Sequence, residues 1–104
     1  MATFDTLVGG KPAPVQATAR AARAYIRSLG ADVAERFEGG EATYLRSGQP
    51  FCAIAVEGGA ALLHISAGPS PDSRRGERSV LLRVPTDLSS AVRALIRSAY
   101  DSAR

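Results

Sequence analysis

Glu41-Ala42-Thr43-Tyr44-Leu45-Arg46-Ser47-Gly48-Gln49-Pro50-Phe51-Cys52-Ala53-Ile54-Ala55-Val56-Glu57-Gly58-Gly59-Ala60-Ala61-Leu62-Leu63-His64-Ile65-Ser66 is the stretch that decides the fold. Ser47-Gly48 and Gly58-Gly59 separate three apolar runs, and two-residue turns of this kind suit tight hairpins because glycine accepts positive φ without a Cβ clash. Pairing outward from Gly58-Gly59 sets Val56 opposite Ala61, Ile54 opposite Leu63 and Cys52 opposite Ile65, which makes one apolar face. The intervening pairs, Ala55 with Leu62, Ala53 with His64 and Phe51 with Ser66, make a mixed face. The same count around Ser47-Gly48 sets Tyr44 beside Phe51 on that mixed face.

Upstream, Pro12 and Pro14 close a short N-terminal segment, and Pro14 suits a first helical turn, where its missing N–H is not needed. Val15, Ala19, Ala22, Ile26 and Leu29 then recur at helical spacing, with Gly30 as the stop. Asp32 to Gly40 admits two readings: a helical turn with Val33 and Phe37 inward, or a lead into the first strand. Downstream, Gly68 to Gly76 has loop composition. Val80, Leu82 and Val84 alternate as a fourth strand until Pro85 stops it. Thr86 or Asp87 is the expected cap of a last helix, with Leu88, Val92, Leu95, Ile96, Ala99 and Tyr100 as its core stripe. The expectation is a single domain over residues 1–104 with an α+β fold: a four-stranded, mainly antiparallel sheet with N- and C-terminal helices packed on one face.

Composition narrows the function classes. With 45% hydrophobic and 22% charged residues the chain has the balance of an ordinary globular domain, and no apolar run approaches the ~20 residues of a membrane-spanning helix. The first ten residues carry no basic segment followed by an apolar core, and one cysteine cannot make an intrachain disulfide, so the expected location is the cytoplasm. The net charge of +3 comes from 13 basic and 10 acidic residues, with Lys11 the only basic residue that is not arginine. So small an excess permits nucleic-acid binding without arguing for it. Gly9-Gly10-Lys11 lacks the upstream glycine and the following Ser or Thr of a phosphate loop.

Gly40-Glu41-Ala42-Thr43-Tyr44 followed by Gly48-Gln49-Pro50-Phe51-Cys52-Ala53-Ile54-Ala55 resembles the central hairpin of the YdhG-like uncharacterised domain family. The N-terminal helix, the Gly/Ser loop, the strand from Val80 to Val84 and the closing helix near Ala99-Tyr100 are similar to that family as well, so the resemblance spans most of the chain. It implies an α/β-layered domain of largely unknown activity, some members of which are described as frataxin-like iron chaperones. The YjbR-like group, with a similar hairpin, has been associated with DNA binding. Neither resemblance brings a motif-matched functional residue, and fold analogy alone does not fix function.

His64, the only histidine, falls on the mixed face with Tyr44, Phe51, Leu62 and Leu81, and Arg83 follows on the neighbouring strand. Apolar walls with one titratable ring and an arginine suit a ligand or partner site. The plain alternative is a half-exposed sheet histidine. Cys52 and His64 point to opposite sides of the sheet, which removes a nucleophile and base pair. Asp32, Glu35, Glu38 and Glu41 recur every third position, but Arg36 interrupts them, and a solvated face is the expectation. Arg20, Arg23 and Arg27 could merge with Arg93 and Arg97 into a basic surface, and Arg74, Arg75 and Arg78 cluster in the loop region. These residues predict a binding or interaction module rather than an enzyme. The expected occupant of the mixed face is a second copy of the chain or a small molecule, with no cofactor, no metal site and no membrane contact. Iron handling and weak nucleic-acid binding are the alternatives.

Overall fold

Gly39 and Gly40 resolve the ambiguous segment in favour of a strand. Both have positive φ (60° and 77°), the conformation of a tight two-residue hairpin turn, and they fold Val33–Glu38 back on Glu41–Arg46. The sheet therefore has five strands, not four. The computed structural model describes residues 4–57, 59–66 and 77–103. Its strands are β1 (Val33–Glu38), β2 (Glu41–Arg46), β3 (Gln49–Glu57), β4 (Ala60–Ser66) and β5 (Glu77–Leu82), in the spatial order β1-β2-β3-β4-β5. Every neighbouring pair is antiparallel. The loop expected over Gly68 to Gly76 lies outside the described residues.

The β3–β4 register is the one that the Gly58-Gly59 turn dictates: Cys52 pairs with Ile65, Ile54 with Leu63 and Val56 with Ala61. This face is covered by α2 (Ala13–Ser28) and α3 (Ser90–Ser102), and the core between them holds Ile26, Ile54, Leu63, Leu82 and Ile96. Burying each such side chain contributes roughly 1.5–3 kcal/mol. Along α2, Val15, Ala19, Ala22 and Ile26 are buried at the expected spacing, and the two alanines let the helix lie close to the sheet. An additional short helix, α1 (Phe4–Val8), buries Phe4 and Val8 in the same core. Five residues are too few to show a helical period, so the sequence carried no readable sign of it.

Two expectations at the C-terminal end are corrected. The last strand stops at Leu82 rather than Val84, because the backbone N–H groups of Arg83 and Val84 donate to Asp87 Oδ2 (2.9 and 3.3 Å) instead of a ladder. Asp87 thereby closes a 3-10 turn over Pro85–Asp87, and α3 is capped by Ser89, whose Oγ accepts from Val92 N–H at 3.3 Å.

Where α2 ends, Gly30 lies against the closing helix. A Cβ at this position would come within 2.1 Å of the Tyr100 hydroxyl and 2.6 Å of Asp32 Oδ1. The rigid tyrosine ring cannot yield without losing its bond to Asp32. Gly30→Ala is expected to destabilise the fold by about 1–3 kcal/mol, with a smaller penalty in a Tyr100→Phe background, measured by urea melts of both single variants and the double variant. Strict additivity would contradict the close approach.

Candidate functional site

The mixed face is the side of the sheet away from α2 and α3, and its composition follows from one irregularity. Around the Ser47-Gly48 turn, Arg46 pairs with Gln49 and Leu45 with Pro50, as counted from the turn, but Tyr44 then pairs with Cys52. Phe51 is the extra residue of a β-bulge. The slip moves Tyr44 to the helix side, where it is fully buried, and Phe51 also joins the core, its ring edge-on to Tyr100 with centroids 5.5 Å apart. Tyr44 and Phe51 are thus core residues and not part of the outer face. Pro50, which has no N–H for a ladder and in sheets keeps to strand starts, edges and bulges, fits both the start of β3 and this slip.

What remains outside is a shallow groove of about 340 Å³ lined by Glu38, Glu41, Thr43, Pro50, Ala53 and His64. Its form follows from side-chain size. Register places Thr43, Ala53, His64 and Ser79 in one cross-strand row and Glu41, Ala55, Leu62 and Leu81 in the next, so alanines form the floor on β3 between larger residues on β2 and β4. Across that floor His64 Nε2 lies 3.8 Å from Glu41 Oε2, and Nδ1 is 3.1 Å from Ser79 Oγ. Leu81 is 50% exposed beside its cross-strand neighbour Leu62, which is half-buried. Arg83 does not approach His64: it follows the last paired residue of β5, and Ser79 holds the position opposite the histidine. Of the residues read as a site from sequence, the outer face brings together Leu62, His64 and Leu81. Glu41, Thr43 and Ser79 join them and were missed, although counting from the bulge places Glu41 and Thr43, and the alternation of Ser79 with Val80 along β5 places Ser79 on the face of Leu81.

Cys52 borders the same groove but belongs to the core cluster, and burial pushes its thiol up to about 12. That is opposite to the activation a nucleophile needs. Of the acidic residues read as a solvated stripe, Asp32 and Glu38 are exposed and Glu35 is not. Glu35 faces the helices and takes a bidentate ion pair from Arg23, Nε to Oε2 at 2.7 Å and Nη2 to Oε1 at 2.9 Å, while the Tyr44 hydroxyl donates to Oε2 at 2.7 Å. Asp32 accepts from the Tyr100 hydroxyl at 2.5 Å and from Arg46 Nε at 2.9 Å. Arg46 also lies 4.1 Å over the Tyr100 ring and donates to the Tyr100 carbonyl in the last turn of α3. Among the described residues no cluster of three or more His, Cys, Asp or Glu side chains is placed to hold a metal ion.

Three arginines of the basic stripe are likewise engaged internally. Arg20 pairs with Asp5, Arg23 with Glu35, and both guanidiniums lie over the Phe4 ring, at 5.9 and 4.9 Å. Arg93 lies 5.6 Å over Tyr25. Arg74 and Arg75 lie outside the described residues. Among the described residues no helix is long and apolar enough to cross a membrane. Compared with known proteins, the chain matches no family model, no curated protein and no solved structure.

Burial alone would raise the Glu35 carboxyl, but the hydrogen bonds from Arg23 and Tyr44 and the Arg23 charge outweigh it and hold the carboxyl below its ordinary value of 4.5. The folded protein therefore binds this proton more weakly than the unfolded chain. The stabilisation is complete above the ordinary value and is lost as pH falls through the lower folded one. Glu35→Gln is expected to lose about 1–3 kcal/mol at neutral pH and to show a shallower stability loss on acidification below 4.5 than the wild type, in urea melts over that range. Parallel pH profiles for the two proteins would contradict this assignment.

Proposed function

We propose that this chain is a non-enzymatic, cytoplasmic interaction module that associates with a second copy of itself through the outer sheet face. The observation that carries this reading is the exposure of Leu81 at 50%: among the described residues, it and Val84, at 42%, are the large hydrophobic side chains left exposed. Leu81 sits on β5, an outer strand in the sheet order, beside Leu62 and the His64 groove. An outer strand offers unpaired backbone groups, and a two-fold contact brings the same apolar patch from each copy together. An apolar centre with Glu41, Thr43, His64 and Ser79 at its margin has the layout of a modest protein interface.

The YdhG-like resemblance is part of this proposal, and it agrees with the order of a central hairpin flanked by helices. The iron-handling alternative draws on carboxylates already engaged elsewhere: Asp32 with Arg46 and Tyr100, Glu35 with Arg23 and Tyr44, and Glu38 with Arg36 at 3.0 Å. The nucleic-acid alternative draws in part on Arg20, Arg23 and Arg93, which are paired or stacked within the chain.

Light scattering across a concentration series tests the reading. The wild type is expected to rise to twice the monomer mass. Leu81→Glu and Leu62→Glu are expected to weaken the association at least about tenfold, or ~1.4 kcal/mol, with an unchanged circular dichroism spectrum. A wild type that stays monomeric at millimolar concentration, or a dimer indifferent to both substitutions, would overturn it.

A further inference from the structure

A second concavity lies where the Gly39-Gly40 turn passes α1. It has a volume of about 480 Å³ and is walled by Leu7, Phe37 and Val56, with Lys11, Glu38 and Glu41 among its polar lining. The three apolar side chains are each partly buried and packed against the core, so the cleft is an opening onto the core. The turn leaves it open, since a Cβ at Gly39 or Gly40 would meet no atom within 4 Å. The size and mostly apolar walls are those of a small-ligand pocket.

Charge selects the ligand. Glu38 is paired with Arg36 at 3.0 Å, and Glu41 lies 3.8 Å from His64 Nε2, so each carboxylate has a neighbour that does not line the cleft. Lys11 differs. Its backbone is fixed in the bend between α1 and α2, its N–H donating to the Val8 carbonyl at 3.1 Å and its carbonyl accepting from Gln16 Nε2 at 2.9 Å. Its half-buried side chain has no ion pair among the described residues. A cation at the edge of an apolar cleft, without a carboxylate of its own, matches a ligand with a single anionic head and a hydrocarbon body.

We infer that this cleft binds a small apolar monocarboxylate, its carboxylate on the Lys11 ammonium and its hydrocarbon body against Leu7, Phe37 and Val56. The cleft opens beside α1 and the outer-face contact centres on Leu81, with Glu38 and Glu41 lining both concavities; ligand binding in the cleft goes beyond the proposed self-association and does not rest on it.

The test compares three probes of one chain length, octanoate, octanamide and octylammonium, by titration followed through amide shifts and calorimetry. Octanoate is expected to bind at least about tenfold more tightly than octanamide, with shifts centred on Leu7, Lys11, Phe37, Gly39, Gly40 and Val56. Lys11→Met, which keeps an unbranched apolar stem, is expected to bring octanoate and octanamide to equal affinity, whereas Lys11→Arg keeps the preference. Three outcomes would overturn the inference: octylammonium or octanamide binding as tightly as octanoate, octanoate shifts centred on the Leu62 and Leu81 face, or no saturable octanoate binding at millimolar concentration.

Discussion

One extra residue on β3 decides which aromatics the protein keeps inside. Without the bulge at Phe51, the alternation through β2 and β3 would turn Tyr44 and Phe51 outward together and leave those two strands with no aromatic side chain toward the helices. With it, Phe51 packs edge-on against Tyr100 of α3, and Tyr44 places its hydroxyl on Glu35. Edge-to-face aromatic contacts contribute about 0.5–1.5 kcal/mol beyond the area they bury. A regular ladder would forfeit that contact and expose two large rings. The bulge costs one unpaired ladder position, and Pro50, having no N–H to lose, reduces that cost.

The polar bonds beneath the helices depend on the same geometry. Arg23 on α2 reaches Glu35 on β1 while its guanidinium covers the Phe4 ring of α1, and Tyr44 on β2 completes the carboxylate's shell. One ion pair thus holds two helices and two strands in register. A second clamp, Asp32 with Tyr100 and Arg46, ties the start of β1 to the end of α3. Partly buried ion pairs of this kind add modest net stability over an apolar substitute but are costly to break on one side, so they specify arrangement more than they strengthen it. β1 is an outer strand with alternating half-buried and exposed residues, and these two clamps fix where it lies. No buried side-chain nitrogen or oxygen among the described residues lacks a partner, so the two networks are complete.

Legibility in the sequence followed how local the deciding physics was. The β3–β4 register was readable because the Gly58-Gly59 turn and an unbroken period-two alternation agree over the whole hairpin, and α2 was readable because its stripe repeats through four turns. The β2–β3 register was not: its first two pairs obey the turn, and the slip that follows brings Phe51 against Tyr100, almost fifty residues away in the chain, a contact no turn count reveals. Glu35 had the spacing of a solvated acidic stripe, and only the approach of Arg23 across the α2–β1 contact makes it an inward group. His64, Leu62 and Leu81 were placed on the outer face because their positions depend on hairpin counting alone. Arg83 does not lie beside His64 because the β4–β5 register, set across a segment with no two-residue turn to count from, puts Ser79 opposite the histidine and Arg83 beyond the last pair.

The surface that results has a division of labour rooted in side-chain volume. On the inner face of β3, Cys52, Ile54 and Val56 are large enough to fill the space to the helices; on the outer face Ala53 and Ala55 are not, so the longer residues of β2 and β4 stand above them as walls. A central strand with alanines outward cannot cover itself, and burying Leu62 and Leu81 requires atoms from another molecule or from chain beyond the described strands. The hydrophobic gain from doing so is proportional to the apolar area covered, roughly 25 cal/mol per Å². In the proposed contact the groove's polar lining would set specificity more than strength, since Glu41, Thr43, His64 and Ser79 reward a partner that meets their hydrogen bonds and penalise one that leaves them unpaired. In the same groove burial holds the Cys52 thiol in its neutral form, and His64 stands between Ser79 Oγ at 3.1 Å and Glu41 Oε2 at 3.8 Å, so the ring is oriented from both sides before any partner arrives.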